Sequence, residues 1–165
     1  MEDNTVSITL WGDGLVKGKW IEWYNSIGLI FQSLGYKRTH IGMQSQSYSN
    51  SKIVTAARKE AHILQLLQNE EPQTLSCYAL PKEFRTAAFD YEVLAVREAG
   101  YISLIVKEND LKRMDVDAVI EQLIQYIEFE DGELYRMDRS EMPLLYAAKA
   151  NSVEWYKTLE VLRKF

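Results

Sequence analysis

The residues of this chain with chemical potential are few, and their spacing decides most of what they can do. The stretch 12–19, Gly-Asp-Gly-Leu-Val-Lys-Gly-Lys, lies between an alternating segment and a helical one. A phosphate loop belongs at such a place, because a helix N-terminus presents unpaired N–H groups to an anion. The phosphate-loop pattern needs Gly, four residues, then Gly-Lys-Ser/Thr. Counting back from Gly18-Lys19 puts Asp13 where the first glycine belongs, and Trp20 replaces the hydroxyl that would hold magnesium. Asp13 would also repel phosphate, so the stretch reads as a flexible turn and no bound nucleotide is expected. His40 and His62 are the only histidines. His62 follows Glu60 and Ala61 without a second histidine four residues on, so the zinc-protease pattern is absent. Cys77, the single cysteine, sits in an apolar segment and reads as a small buried hydrophobe. An enzyme would have to assemble its site from Asp13, His40 and Cys77, brought together by the sheet.

Metal ligation fares no better. The run Glu128-Phe-Glu130-Asp131-Gly132-Glu133 has the composition of a calcium loop, but counted from Glu128 the glycine is fifth and Arg139 is twelfth. The EF-hand needs glycine sixth and a bidentate glutamate twelfth. Asp115 and Asp117 are explained as a helix cap and a first-turn acid. The chain is therefore read as a non-enzyme without metal or cofactor.

What the sequence does carry is uneven charge. Residues 108–141 hold eleven acidic side chains against four basic ones, net −7, whereas the whole chain is −5 and the remainder therefore +2. A face of one sign attracts partners of the opposite sign and speeds their encounter. Glu128, Glu130, Asp131, Glu133, Asp138 and Glu141 are the expected partner-binding face, with Tyr135 as an aromatic anchor. Nucleic acid is excluded as a direct partner, since its binding uses a basic face. The chain opens Met-Glu-Asp-Asn, the wrong charge for a secretory signal. Its apolar stretch 101–106, interrupted only by Ser103, is too short to cross a bilayer. One cysteine allows no intrachain disulfide, which fits a reducing compartment. A cytoplasmic location is expected, with no membrane partner; oligomeric state is left open.

The elements that must position these residues follow from periodicity. Residues 5–11 alternate, with Val6, Ile8 and Leu10 on one side, and read as a half-buried strand. Trp20, Trp23, Tyr24, Ile27, Ile30, Phe31 and Leu34 recur at steps of three and four, one face of a helix stopped by Gly35. Strands are expected at 36–43, 74–80, 89–97 and 101–107, the last two paired through Ala99-Gly100. A helix at about 52–69 would start at Asn50 or Ser51 and turn Ile53, Ala57, Ala61 and Leu64 inward. Another runs from a cap at Asp115 to Ile127. Asp131-Gly132 is either a tight hairpin turn or part of a loop after that helix. Ser140 and Pro143 open a helix, Asn151-Ser152 break it, and a last helix occupies 153–163. The result is one α+β domain over 1–165. Its mixed or mostly antiparallel sheet has about five strands packed with helices, and 140–165 form a C-terminal helix-turn-helix packed on the main body.

Two resemblances bear on this reading. Residues 142–160, with Pro143, Leu144, Ala147, Ala148 and Glu154 in matching places, resemble the core of one ankyrin repeat. Met142 and Leu145 replace its Thr and His, and Asn151 stands in its left-handed glycine position; the likeness implies a local helical hairpin. In size, acidity, aromatic content, single free cysteine and lack of a catalytic set, the whole chain resembles bacterial immunity proteins. That resemblance implies a bacterial cytoplasmic inhibitor that neutralises one cognate toxin, often a basic nuclease, by direct binding.

Overall fold

The computed structural model describes residues 3–48 and 53–165. Its centre is strand β1 (Asn4–Leu15), from which the sheet grows in both directions. The order along the chain is then α1 (Trp20–Ser33), β2 (His40–Gln44), β3 (Val54–Thr55), α2 (Ala56–Asn69) and β4 (Thr74–Ala79). There follow α3 (Ala87–Asp90), β5 (Val93–Glu98), β6 (Tyr101–Lys107), α4 (Val116–Ile124), β7 (Ile127–Asp138), α5 (Pro143–Ala147) and β8 (Glu160–Lys164). The strands form one eight-stranded sheet in the order β3-β2-β4-β5-β6-β1-β7-β8, with every neighbouring pair antiparallel. The expected sheet of about five strands is thus corrected to eight, although the chain remains α+β in the general sense.

One face of the sheet is covered by α1, α2 and α4. The steps of three and four in α1 bury Trp20, Trp23, Tyr24, Ile27, Ile30 and Phe31, and these pack with Leu34, Val6, Ile8, Leu10, Leu104 and Val106 in one cluster. Gly35, at φ 86°, ends the helix in the left-handed conformation that glycine adopts without strain. Asp115 caps α4 by accepting from the Ala118 N–H at 3.1 Å. The β5–β6 hairpin turns at Ala99-Gly100, as expected, with Gly100 at φ 94°.

Four local expectations are overturned. First, α2 starts at Ala56 and buries Ala56, Ile63 and Leu67, leaving Ala57 and Ala61 exposed; the expected caps Asn50 and Ser51 lie outside the described residues. Second, residues 87–90 coil into α3, so β5 starts only at Val93. Third, Asp131-Gly132 is neither hairpin nor loop. Strand β7 runs through it, and Gly132 pairs with Leu10 of β1. Glycine suits the place, because a Cβ would lie 2.3 Å from the Phe165 ring packed over the strand and would push that ring aside. Fourth, the C-terminal helix-turn-helix is absent. Pro143 does start a helix, but α5 lasts five residues. It is followed by a 3-10 turn at Val153–Trp155 and by β8, which pairs with β7. An edge offered by β7 captures 160–164 as a strand, because hydrogen bonds to a ready sheet outweigh a weak helical pattern.

Candidate binding site

The other face of the sheet positions the site. Side chains alternate along a strand, so Thr5, Ser7, Thr9 and Trp11 of β1 point away from the helices, as does Tyr135 of β7. All five are buried under α5 and its flanking chain. Thr9 Oγ1 lies 2.9 Å from Ser103 Oγ and 2.9 Å from the Tyr135 hydroxyl. The Tyr135 hydroxyl also donates to the Pro143 carbonyl at 3.2 Å. Tyr135 is therefore no anchor for a partner. It is fully buried, where it ties α5 to the sheet.

Toward the far end of this face β1 and β7 lose register. Their pairing shifts between Trp11 and Gly12 and again between Gly12 and Leu15. Gly12 permits the irregularity, since a Cβ would lie 2.0 Å from the Glu128 carbonyl oxygen. Asp13, Glu128, Glu130 and Asp131 gather at this bulged end, all exposed. Asp13, and after it Asp131, lie close enough to Glu130 to hold its carboxyl above the ordinary range. Like charges crowded together resist ionising at once.

Most of the remaining acids of the segment are committed to bonds within the molecule. Asp138 accepts from the Ser140 N–H at 2.8 Å and the Ser140 hydroxyl at 2.5 Å, and these bonds hold its carboxyl below the usual range. Partial burial pulls Glu141 up, but bonds from the Thr158 hydroxyl and from the Lys157 and Thr158 N–H groups, at 2.7 and 2.6 Å, outweigh it and lower its pKa. Glu141 thereby fastens the chain leading into β8. Arg136 bridges Glu108, at 2.8 Å, and Glu160. Asp117 pairs with Arg163 at 2.7 Å, and Asp110 with Arg113. Of the expected face, Glu133 is half-buried and accepts from the Tyr146 hydroxyl at 2.5 Å. That leaves Glu128, Glu130 and Asp131, which have no ion pair among the described residues.

Beside these carboxylates lies a cavity of about 260 Å³, lined by Trp11, Asp131, Glu133, Tyr146, Lys149 and Val153 among others. The Trp11 indole N–H donates to the Ala147 carbonyl at 2.7 Å, and its ring meets Tyr146 edge-on at 6.1 Å. Lys149 stands at the rim with Nζ 4.9 Å from the Trp11 ring centre. It closes α5 as a Schellman cap: its N–H bonds the Tyr146 carbonyl at 3.0 Å, and the Ala150 N–H bonds Leu145 at 3.0 Å. The capping residue sits at φ 54°, a conformation that costs a non-glycine residue about 1–2 kcal/mol. The left-handed residue is thus Lys149 and not the expected Asn151.

Sequence reading missed Lys149 and Trp155. The latter, in the Val153–Trp155 turn, is 64% exposed and Val153 60%. The signal that could have found Trp155 is Asn151-Ser152, which breaks the chain just before it; the expected final helix concealed it. Arg97 was missed too. It is buried on the helix-covered face, 4.0 Å from the Trp20 ring centre, and donates to the Val16 carbonyl at 2.7 Å and to that of Tyr126 at 3.2 Å. Desolvation lowers its pKa to about 10, so it stays cationic and straps the 12–19 stretch to the end of α4. That stretch has Gly18 and Lys19 at φ 74° and 59° before α1.

The trio Asp13, His40 and Cys77 is not assembled. Cys77 is buried toward the helices, and burial pushes its thiol up to about 11. His40 pairs with Tyr78 and faces the opposite way, its ring 5.2 Å from that of Phe84. Asp13 lies across three intervening strands. Among the described residues no three His, Cys, Asp or Glu side chains are grouped as metal ligands, and no helix is long and apolar enough to cross a membrane. Comparison of the chain with family models, with characterised proteins and with solved structures gives no significant match.

Proposed function

We propose that this chain is a non-catalytic protein-binding module, an inhibitor of the immunity-protein kind that neutralises a basic toxin domain in the bacterial cytoplasm. The observation that carries the reading is the bulged end of β1 and β7. There Asp13, Glu128, Glu130 and Asp131 are exposed together, and Asp13 crowds the Glu130 carboxyl enough to raise its pKa. A basic surface docked there would find these carboxylates already gathered and would offset their mutual repulsion. The same field would steer a cationic partner at long range and fade with salt. The binding face is narrower than charge counting implies, because Asp138 and Glu141 are committed to internal bonds and Glu133 is half-buried, open to a partner only through the cavity beside Asp131. With Tyr135 buried, the aromatic anchor passes to Trp155, in keeping with the weight of exposed tryptophan at interfaces.

The test takes a basic toxin domain sought among the products of neighbouring genes and follows its association and dissociation over a range of salt; a search that yields no such partner counts against the proposal. Reversing Asp13, Glu130 and Asp131 to Lys should slow association by about tenfold or more while changing dissociation little. The same reversal at Asp117 and Glu121, on the helix-covered side, should do much less. Unchanged affinity and unchanged salt dependence in the first variant would overturn the proposal.

A further inference from the structure

Lys149 does more than a helix stop requires. Glycine is the usual residue at the left-handed position of a Schellman cap, yet a lysine is held there at φ 54° with Nζ over the Trp11 ring at 4.9 Å. Lys19 and Met142 share this backbone conformation, but Lys149 is also placed with its charge against an aromatic ring beside a cavity, which points to a use for its side chain. Lys149 also borders a second cavity, of about 250 Å³, with Trp11, Gly12 and Glu130. The Lys149 ammonium therefore stands between two hollows, its charge felt by Glu130.

The first cavity has the chemistry of a cation seat. Trp11 and Tyr146 supply aromatic walls, and Asp131 and Glu133 supply carboxylates. An ammonium or guanidinium is attracted to such a ring face and to such carboxylates together. At about 260 Å³ the cavity is smaller than the roughly 300–1,000 Å³ of small-molecule sites, but it matches one long side chain. Val153 at its rim, and Trp155 in the same turn, are exposed and could exclude water around an inserted side chain.

We infer that this cavity receives one arginine or lysine side chain of a protein partner, and that Lys149 is an internal placeholder which the incoming cation displaces. The inference rests on the reading of the chain as a binder of a basic protein, and adds to it the point of insertion. It also makes Lys149 a brake, since the resident cation competes with the visitor.

The experiment needs no partner. Acetyl-Gly-Arg-Gly-amide is titrated into the full chain while the Trp11 indole N–H and the amides of residues 131–133 and 149–153 are followed by NMR, with acetyl-Gly-Glu-Gly-amide as control. Saturable shifts confined to these signals are expected for the arginine peptide alone. Lys149→Ala should tighten binding by about two- to fivefold, the worth of an exposed cation–π contact. Asp131→Asn with Glu133→Gln should abolish the shifts, and Asp117→Asn should leave them intact. Binding in Lys149→Ala no tighter than in the parent would overturn the placeholder role. Shifts that never saturate, or that survive the Asp131/Glu133 variant, would overturn the seat. A saturable seat in a chain that fails to bind any basic toxin domain would remove the inhibitor reading and leave the seat standing. An inhibitor indifferent to Lys149→Ala would remove only this inference.

Discussion

The two faces of the sheet are both buried, but they are built differently. Under α1, α2 and α4 the central strands present Val6, Ile8, Leu10, Leu104, Val106 and Leu134, a dry aliphatic layer closed by Trp23, Phe31 and Leu123. On the opposite side the same strands present Thr5, Ser7, Thr9, Ser103 and Tyr135 among the apolar Trp11, Ile105 and Met137, buried beneath short segments, with Thr9 bonded to both Ser103 and Tyr135. Apolar layers hold by contact area, which is non-directional. A buried hydroxyl layer holds only where each group meets its partner, and an unmade bond carries the full desolvation penalty. The first face thus supplies the larger share of the apolar burial. The second fixes where α5, Lys149 and the chain into β8 lie, and with them the acidic end and its cavity.

The comparison is broken or sharpened by four measurements. Phe31→Ala strikes the dry face and should lose about 3–5 kcal/mol in urea unfolding. A loss no larger than that of any polar-face variant would erase the distinction. Tyr135→Phe removes one hydroxyl from the polar face and should lose about 1–2 kcal/mol. Its hydrogen exchange should quicken chiefly in α5, leaving α1 and α4 protected; uniform quickening would show that the two faces melt as one.

Lys149→Gly acts in the opposite direction. Relief of the left-handed strain should raise the melting temperature, by about 1 kcal/mol in free energy, while vacating the seat over Trp11. A destabilised variant would mean that the lysine's contact with Trp11 outweighs its backbone strain. The smallest effect concerns Glu130. Its carboxyl is raised in the folded chain, so the stability it contributes is present below its ordinary range and lost as pH rises through the folded value. Asp13→Asn should return the Glu130 titration, followed by carboxyl NMR, toward the ordinary range and flatten that slope. Asp138 and Glu141, lowered in the fold, have the opposite sign: their contribution is present above the ordinary carboxylate range and lost as pH falls.

Legibility in the sequence tracked how local the cause of each element was. The tryptophan–tyrosine stripe of α1, the alternation of β1, the Ala99-Gly100 turn and the Asp115 cap were all readable, because each depends on neighbours within a few residues. The candidate site was legible only in part. Glu128, Glu130 and Asp131 stand exposed as expected, but Asp13 and Lys149 joined them from segments read for other purposes. Charge density alone could not separate carboxylates that face solvent from those, such as Asp138 and Glu141, that close turns.

By itself, then, the sequence determined the apolar face of α1, the central strand and the excess of negative charge in 108–141. Those are matters of period and composition. Tertiary structure alone decided that Asp131-Gly132 is strand, that 160–164 is an edge strand, that Tyr135 is buried, and which acids remain free. Each of these turns on pairing between residues far apart in the chain, where a β1 or β7 edge outbids a weak local preference. Phe165 lying over Gly132 is such a pairing: it favours glycine at that place, and no pattern within either segment records it.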